Sequence, residues 1–211
     1  MKPCNHETMK HLKHITFLIL FLEVVSCTLL FKIKDYDSLP LYSENGYINA
    51  VIEIPAGTNH KIEYDKKDHK FRVEQRNGKD RIVEYLPYPG NYGFLPSTYM
   101  DPAIGGDGDA LDVIVISESY PTASIVEIIP VGVLLLEDGG EIDTKIIAIP
   151  AKENEKVIKV ESLDELKEKY PKADEIIKNW FLNYKGKGIM KFVGWGDKDE
   201  ALLEINKWSK K

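Results

Sequence analysis

The chain has 211 residues, enough for one domain with a sizeable core or for a domain plus a tail. Its 43% apolar and 29% charged residues are ordinary for a globular protein, and acidic side chains outnumber basic ones by 34 to 28. That balance excludes a general nucleic-acid binder, whose affinity would rest on a basic surface.

In chain order, residues 10–31 follow Met9 with Lys-His-Leu-Lys-His and continue through a largely apolar run at 15–22 to Ser26-Cys27. A basic start, an apolar run and a small residue before a cysteine predict a signal-like or lipoprotein-type leader over residues 1–31. The run is short and Glu23 interrupts it, which is poor material for a membrane-spanning helix. Export, or tethering to a membrane through the N-terminus, is therefore expected, with cytoplasmic residence as the alternative. Both cysteines (Cys4 and Cys27) lie in this leader, with His6, His11 and His14 of the five histidines, and no histidine follows His69. A cysteine nucleophile, a disulfide framework, a His-ligated zinc and a Ser-His-Asp machine are thereby excluded from the body. Residues 32–46 are polar and turn-rich and read as a spacer, leaving 47–211 as the folded domain.

Val51-Ile52-Glu53-Ile54-Pro55 reads as a strand closed by proline. Alternation in residues 61–64 and 71–74, around a polar turn at 66–70, predicts an antiparallel pair. Asn77-Gly78 signals a tight turn into a further strand at 81–86. Pro87-Tyr88-Pro89-Gly90-Asn91-Tyr92-Gly93-Phe94 reads as irregular, with two exposed tyrosines. Strands are predicted at 112–117, 125–136 and 144–149. Helices come last: Ser162-Leu163-Asp164-Glu165 is a capping box, Pro171 opens a helix carrying Trp180 and Phe181, and 200–208 is amphipathic. Strands first and helices last argue α+β, mainly β, and short, closely spaced strands suit a small closed barrel.

The chemistry gathers in Gly105-Gly106-Asp107-Gly108-Asp109-Ala110-Leu111-Asp112, where three carboxylates fall within six residues of a glycine-loosened turn. Clustered hard oxygens suit Mg²⁺, although Asp-Gly is also common in ordinary turns. A calcium EF-hand is excluded, because Leu111 and Asp112 take its fifth and sixth positions and a strand follows. A second acidic stretch, Glu137-Asp138-Gly139-Gly140-Glu141-Ile142-Asp143-Thr144-Lys145, would taken alone be a hairpin turn.

Together, Asp-x-Asp-x-x-Asp, then Asp-x-x-x-x-Asp-x-Lys, then Asn183-Tyr184-Lys185 resemble the soluble family I inorganic pyrophosphatases over about residues 47–208. The resemblance implies Mg²⁺-dependent hydrolysis of pyrophosphate to two phosphates, on a five-stranded OB-type barrel with flanking C-terminal helices. It implies metal ligands at Asp107, Asp112, Asp143, Asp138, Glu53 and Glu63, and a water between metals with Asp109 as its base. Lys61, Arg81, Tyr92, Lys145, Tyr184 and Lys185 would contact phosphoryl oxygens, and Tyr88 matches a further active-site tyrosine. Arg81 follows the longer Gly78-Lys79-Asp80 segment, whereas the shorter form of the family would point to Arg76. Gly139 stands where some members carry a glutamate. Several Mg²⁺ ions would invert the field of an acidic protein toward an anionic substrate, and no covalent intermediate is required. The resemblance also implies a homo-oligomer. The alternative is an inactive OB-type binding module for phosphate-containing ligands or nucleic acid, which the acidic balance and the near-complete carboxylate–lysine set oppose.

Overall fold

The computed structural model describes residues 34–210, so the leader expected over residues 1–31 lies outside the described residues. Eleven strands are described: β1 (Ile48–Ile54), β2 (Ile62–Asp65), β3 (Lys70–Val73), β4 (Gln75–Arg76), β5 (Lys79–Asp80), β6 (Asn91–Phe94), β7 (Asp112–Val115), β8 (Ile125–Asp138), β9 (Glu141–Ile142), β10 (Lys145–Pro150) and β11 (Met190–Gly196). Three α-helices, α1 (Leu163–Lys169), α2 (Ala173–Asn183) and α3 (Lys198–Trp208), occupy the C-terminal third.

The main sheet runs β1-β6-β7-β10-β8 and returns from β8 to β1, so five strands close on themselves. Only the β7–β10 pair in this ring is parallel. The 14-residue β8 makes closure feasible, pairing with β1 near its start, β10 in the middle and β11 at its end. Ring closure satisfies the backbone groups that a sheet edge would leave open.

Val113 and Val115 of β7, with Ile146 and Ala148 of β10, join a core containing Ala201, Ile205 and Trp208 of α3. The alternate residues Ile114, Ile147 and Ile149 join a second core with Leu163 of α1 and Trp180 and Phe181 of α2. Both faces of these strands are thus buried, which explains their unbroken aliphatic sequence.

Several expectations are corrected. Residues 81–86 are not a strand; after β5 the chain makes only a bridge from Ile82 to His60. The stretch expected to be irregular ends in β6, and its tyrosines are buried, Tyr88 to 2% exposure and Tyr92 to 5%. Gly93 makes this possible: a Cβ there would lie 1.9 Å from the Val51 carbonyl oxygen, so only glycine lets β6 approach β1. Strand β11 was not anticipated; a bulge between Phe192 and Gly194 breaks its alternation. Pro171 precedes α2 rather than opening it, because Lys172 takes a left-handed conformation (φ 70°). At α1, Ser162 caps Glu165 N, while the Glu165 carboxylate reaches Glu161 N, 3.0 Å away. The complete capping box is at α3, between Asp197 and Glu200.

Of the spacer expected at 32–46, residues 35–46 lie against the domain. The Tyr36 ring packs edge-on against Phe71 and Tyr64, with centroids 4.9 and 5.5 Å away, and Leu41 is buried in the first core. Among the described residues, no helix is long and apolar enough to cross a membrane.

Candidate active site

The parallel β7–β10 pair sets Lys145 directly opposite Asp112. Strand periodicity turns both toward the face that farther along carries Ile114 and Ile147. The buried Lys145 ammonium donates to Asp112 Oδ2 and to Asp143 Oδ1, the latter at 2.6 Å. Burial alone would lower its pKa, but Asp112 and Asp143 overcome that and hold it above the ordinary lysine value. Tyr92 donates its hydroxyl to Asp112 Oδ2 at 2.5 Å, and burial, then Asp112, pushes its pKa well up. Asp143 Oδ2 is buried with no hydrogen-bond partner.

The glycine turn delivers Asp107 and Asp109 beside this pair. Gly108 takes φ +87°, Asp109 N donates to Asp107 Oδ1 at 2.9 Å, and Ile142 N donates to Gly105 O at 2.7 Å. That last bond fastens the first acidic loop to the second. Burial, reinforced by the charges of Asp112 and Asp109, raises the Asp107 pKa.

Across the pocket, β1 slips register against β6 between Ile52 and Ile54, making Glu53 the extra residue of a bulge. Its buried carboxylate accepts from Tyr64 N at 2.7 Å, and burial pushes its pKa up to about 7 against the pull of Lys61. Lys61 Nζ lies 3.1 Å from Glu63 and 5.4 Å from the Tyr92 ring centre. Desolvation opposes its charge, but the surrounding Tyr88, Glu53 and Glu63 keep it firmly protonated. Arg81 pairs with Glu74 at 2.5 Å, and Lys185 pairs with Asp138. Tyr184 stacks on Trp180 of α2 with centroids 4.7 Å apart, and Trp180 in turn donates to Leu86 O at 2.8 Å.

One pocket of about 270 Å³ brings together Asp107, Asp109, Asp112, Asp143, Glu53 and Glu63 with Lys61, Arg81, Tyr92, Lys145, Tyr184 and Lys185. Two expected residues stand off it. Tyr88 is buried behind Tyr92, with ring centroids 5.3 Å apart. Asp138 lines the adjoining groove with Arg81, Tyr184 and Lys185. Arg76 lies in that groove and does not line the pocket. Sequence reading missed Tyr64, Phe94, Ala110 and Lys66 on the pocket wall. Lys66 lies on the polar turn the sequence predicts at 66–70, and nothing local marks it; only the fold carries it to within 3.2 Å of Asp109.

The carboxylates share the pocket without converging: among the described residues, no group of three His, Cys, Asp or Glu side chains is gathered closely enough to hold a metal ion as it stands. The reason is visible in the ion pairs, since Lys145 separates Asp112 from Asp143 and Lys66 takes one oxygen of Asp109. The donor set nevertheless fits a hard divalent ion. It is all carboxylate oxygen, and the unpartnered Asp143 Oδ2 is a buried acceptor in want of a cation.

A closed five-stranded barrel with carboxylates and cations gathered in one pocket defines a β-barrel protein built to hold a charged ligand. The sequence model described as inorganic pyrophosphatase matches residues 50–211, and the chain belongs to that family. It is 35% identical over 173 residues to an inorganic pyrophosphatase of Neisseria meningitidis, covering 79% of this chain and 92% of the relative. A Synechocystis inorganic pyrophosphatase is 36% identical, covering 80% and 93%. The crystal structure of inorganic pyrophosphatase from Thermus thermophilus superposes with a TM-score of 0.68 at 30% identity, covering 82% of this chain and 95% of that one. The enzyme from Schistosoma japonicum superposes at 0.75 with 28% identity, covering 82% and 69%.

Proposed function

We propose that this chain hydrolyses inorganic pyrophosphate to two phosphates, with Mg²⁺ as its metal and Asp109 as the base. The observation that carries the reading is the pairing of the pocket's cations: Lys61 and Lys145 are held by carboxylates of the pocket, and Arg81 and Lys185 by Glu74 and Asp138 of the adjoining groove. Such pairs exchange readily when a polyanion and cations arrive together, the lysines and arginine turning to phosphoryl oxygens and the carboxylates to metal.

Asp107, Asp112 and Asp143 would hold the ions, with Glu53 and Glu63 as further oxygens, and Asp138 would join once Lys185 leaves it for substrate. Bound there, Mg²⁺ supplies water activation and neutralises charge on the leaving phosphate. Lys61, Arg81, Lys145 and Lys185, with the hydroxyls of Tyr92 and Tyr184, bind and orient the phosphoryl oxygens. Asp109, with 75% of its side chain exposed, accepts the proton of the attacking water. Tyr88 supports Tyr92 from behind. No nucleophilic side chain is needed, in keeping with a body free of cysteine.

The test is phosphate release from pyrophosphate with Mg²⁺, with and without chelator, on the wild type and Asp109→Asn. Turnover should need the metal and fall ~10²–10⁴-fold in the folded variant. A folded Asp109→Asn protein with near-full turnover sinks the base assignment, and no release by the wild type sinks the whole reading in favour of an inactive binding module.

Export or membrane tethering through the leader is part of the same proposal, supported by the basic start, apolar run and Ser26-Cys27 of residues 10–31. Assembly as a homo-oligomer rests on the family likeness alone.

A further inference from the structure

Lys66 lies on the turn between β2 and β3, outside the set of residues the family likeness brought to attention. Its Nζ stands 3.2 Å from Asp109 Oδ1 and 3.8 Å from Asp37 Oδ1. The two carboxylates differ in what else holds them. Asp109 offers an exposed side chain to the pocket. Asp37 is fixed: its Oδ2 takes Lys210 Nζ at 2.6 Å, its backbone carbonyl takes Ser97 N at 2.8 Å, and its amide donates to Asp35 Oδ1 at 3.2 Å. Its Oδ1 is buried and receives no hydrogen bond. A buried acceptor without a donor is unfavourable, and a shift of Lys66 by under an ångström would satisfy it.

We propose that Lys66 is a positioning residue that acts through Asp109. It neutralises that carboxylate until a divalent cation enters the pocket, and is then taken up by Asp37. The inference rests on the reading of Asp109 as a pocket carboxylate that works alongside metal. Two carboxylates compete for one ammonium, and an arriving cation decides the contest by releasing Lys66 from Asp109 and repelling it toward Asp37. The segment that begins the described domain is thereby coupled to the pocket, since Asp37 belongs to it and Lys66 does not. A cation-free pocket keeps its aspartates apart, and the displaced lysine does not re-enter to compete with the metal.

The test is Mg²⁺ titration by calorimetry of the full chain stripped with chelator, comparing wild type, Lys66→Met, Asp37→Asn and the double variant. Exposed ion pairs are weak, so the expected shifts are modest but opposite in sign. Lys66→Met should bind Mg²⁺ roughly two- to five-fold more tightly, having lost the positive charge that offsets Asp109 and opposes the entering cation. Asp37→Asn should bind it weaker by a similar factor, having lost the place that receives Lys66. In the Lys66→Met background, Asp37→Asn should change nothing, because its effect runs through the lysine. Raising the salt concentration should shrink both single-variant effects. Both single variants weakening Mg²⁺ together, or Asp37→Asn acting equally in both backgrounds, would overturn the proposal, since damage to the turn or the loss of a distant charge would produce those results. If the wild type binds no Mg²⁺ and releases no phosphate, the reading of the site fails first and this one with it.

Discussion

Glu53 shows how a single buried side chain carries a cost in the folded state. Its pKa stands near 7 in the fold against an ordinary 4.5, so the folded state holds a proton that the unfolded chain gives up. The sign follows: its contribution is fully present below about pH 4.5 and is lost as pH rises through about 7. Chelator-treated protein should therefore lose stability over that interval, on the order of 3 kcal/mol at most. Glu53→Gln should flatten the curve, read as urea midpoints from about pH 5 to about pH 8. Parallel curves for the two proteins would show that Glu53 is not the group responsible. Arg81 gives a second case. It reaches the pocket and Arg76 does not, so Arg81→Lys should lose bidentate phosphate contact and raise KM or lower kcat, while Arg76→Lys stays near wild type. The reverse outcome would restore the shorter alignment.

At the level of elements, β6 and the glycine turn divide what was legible in the sequence from what was not. The turn was legible because its chemistry is local: glycines with left-handed backbone, short carboxylates and an aliphatic strand directly after. Strands β7, β8 and β10 were legible because β-branched runs of that length have few other homes. Strand β6 was hidden behind Pro87, Pro89 and Gly90, and the decisive contact, Gly93 against Val51, is non-local. Lys66 was hidden for the same reason, its partner lying 43 residues away. The pocket's carboxylates and cations were legible as a set only because two acidic stretches and a tyrosine–lysine pair fell in a familiar order; their ion pairing was not. Gly93→Ala puts a methyl into backbone rather than into a yielding side chain. It should destabilise by more than ~2 kcal/mol in chemical denaturation. A variant as stable as wild type would mean that β1 and β6 separate at little cost.

For the whole molecule, the described part places the start of the domain near residue 35, with Tyr36 and Leu41 packed onto it. A tether, as proposed from residues 10–31, would run through the leader that precedes this domain. Fractionation of the native host with mass spectrometry of the N-terminus checks this: a membrane-associated chain beginning at modified Cys27 is expected. A soluble cytoplasmic chain beginning at Met1 or Met9 would remove the tether from the account.

The in-register partnership of Asp112 with Lys145 has a kinetic consequence. These residues belong to strands separated by the whole of β8 and β9, and the ladder between them is one of the seams that close the ring. A slip of one residue would turn Asp112 or Lys145 to the wrong face and pull the acid away from its cation. Catalytic competence therefore cannot precede the locking of this seam, and a ring left open there has none of it. During refolding from denaturant, recovered phosphate release should lag behind the return of strand signal, making turnover a clock for ring closure.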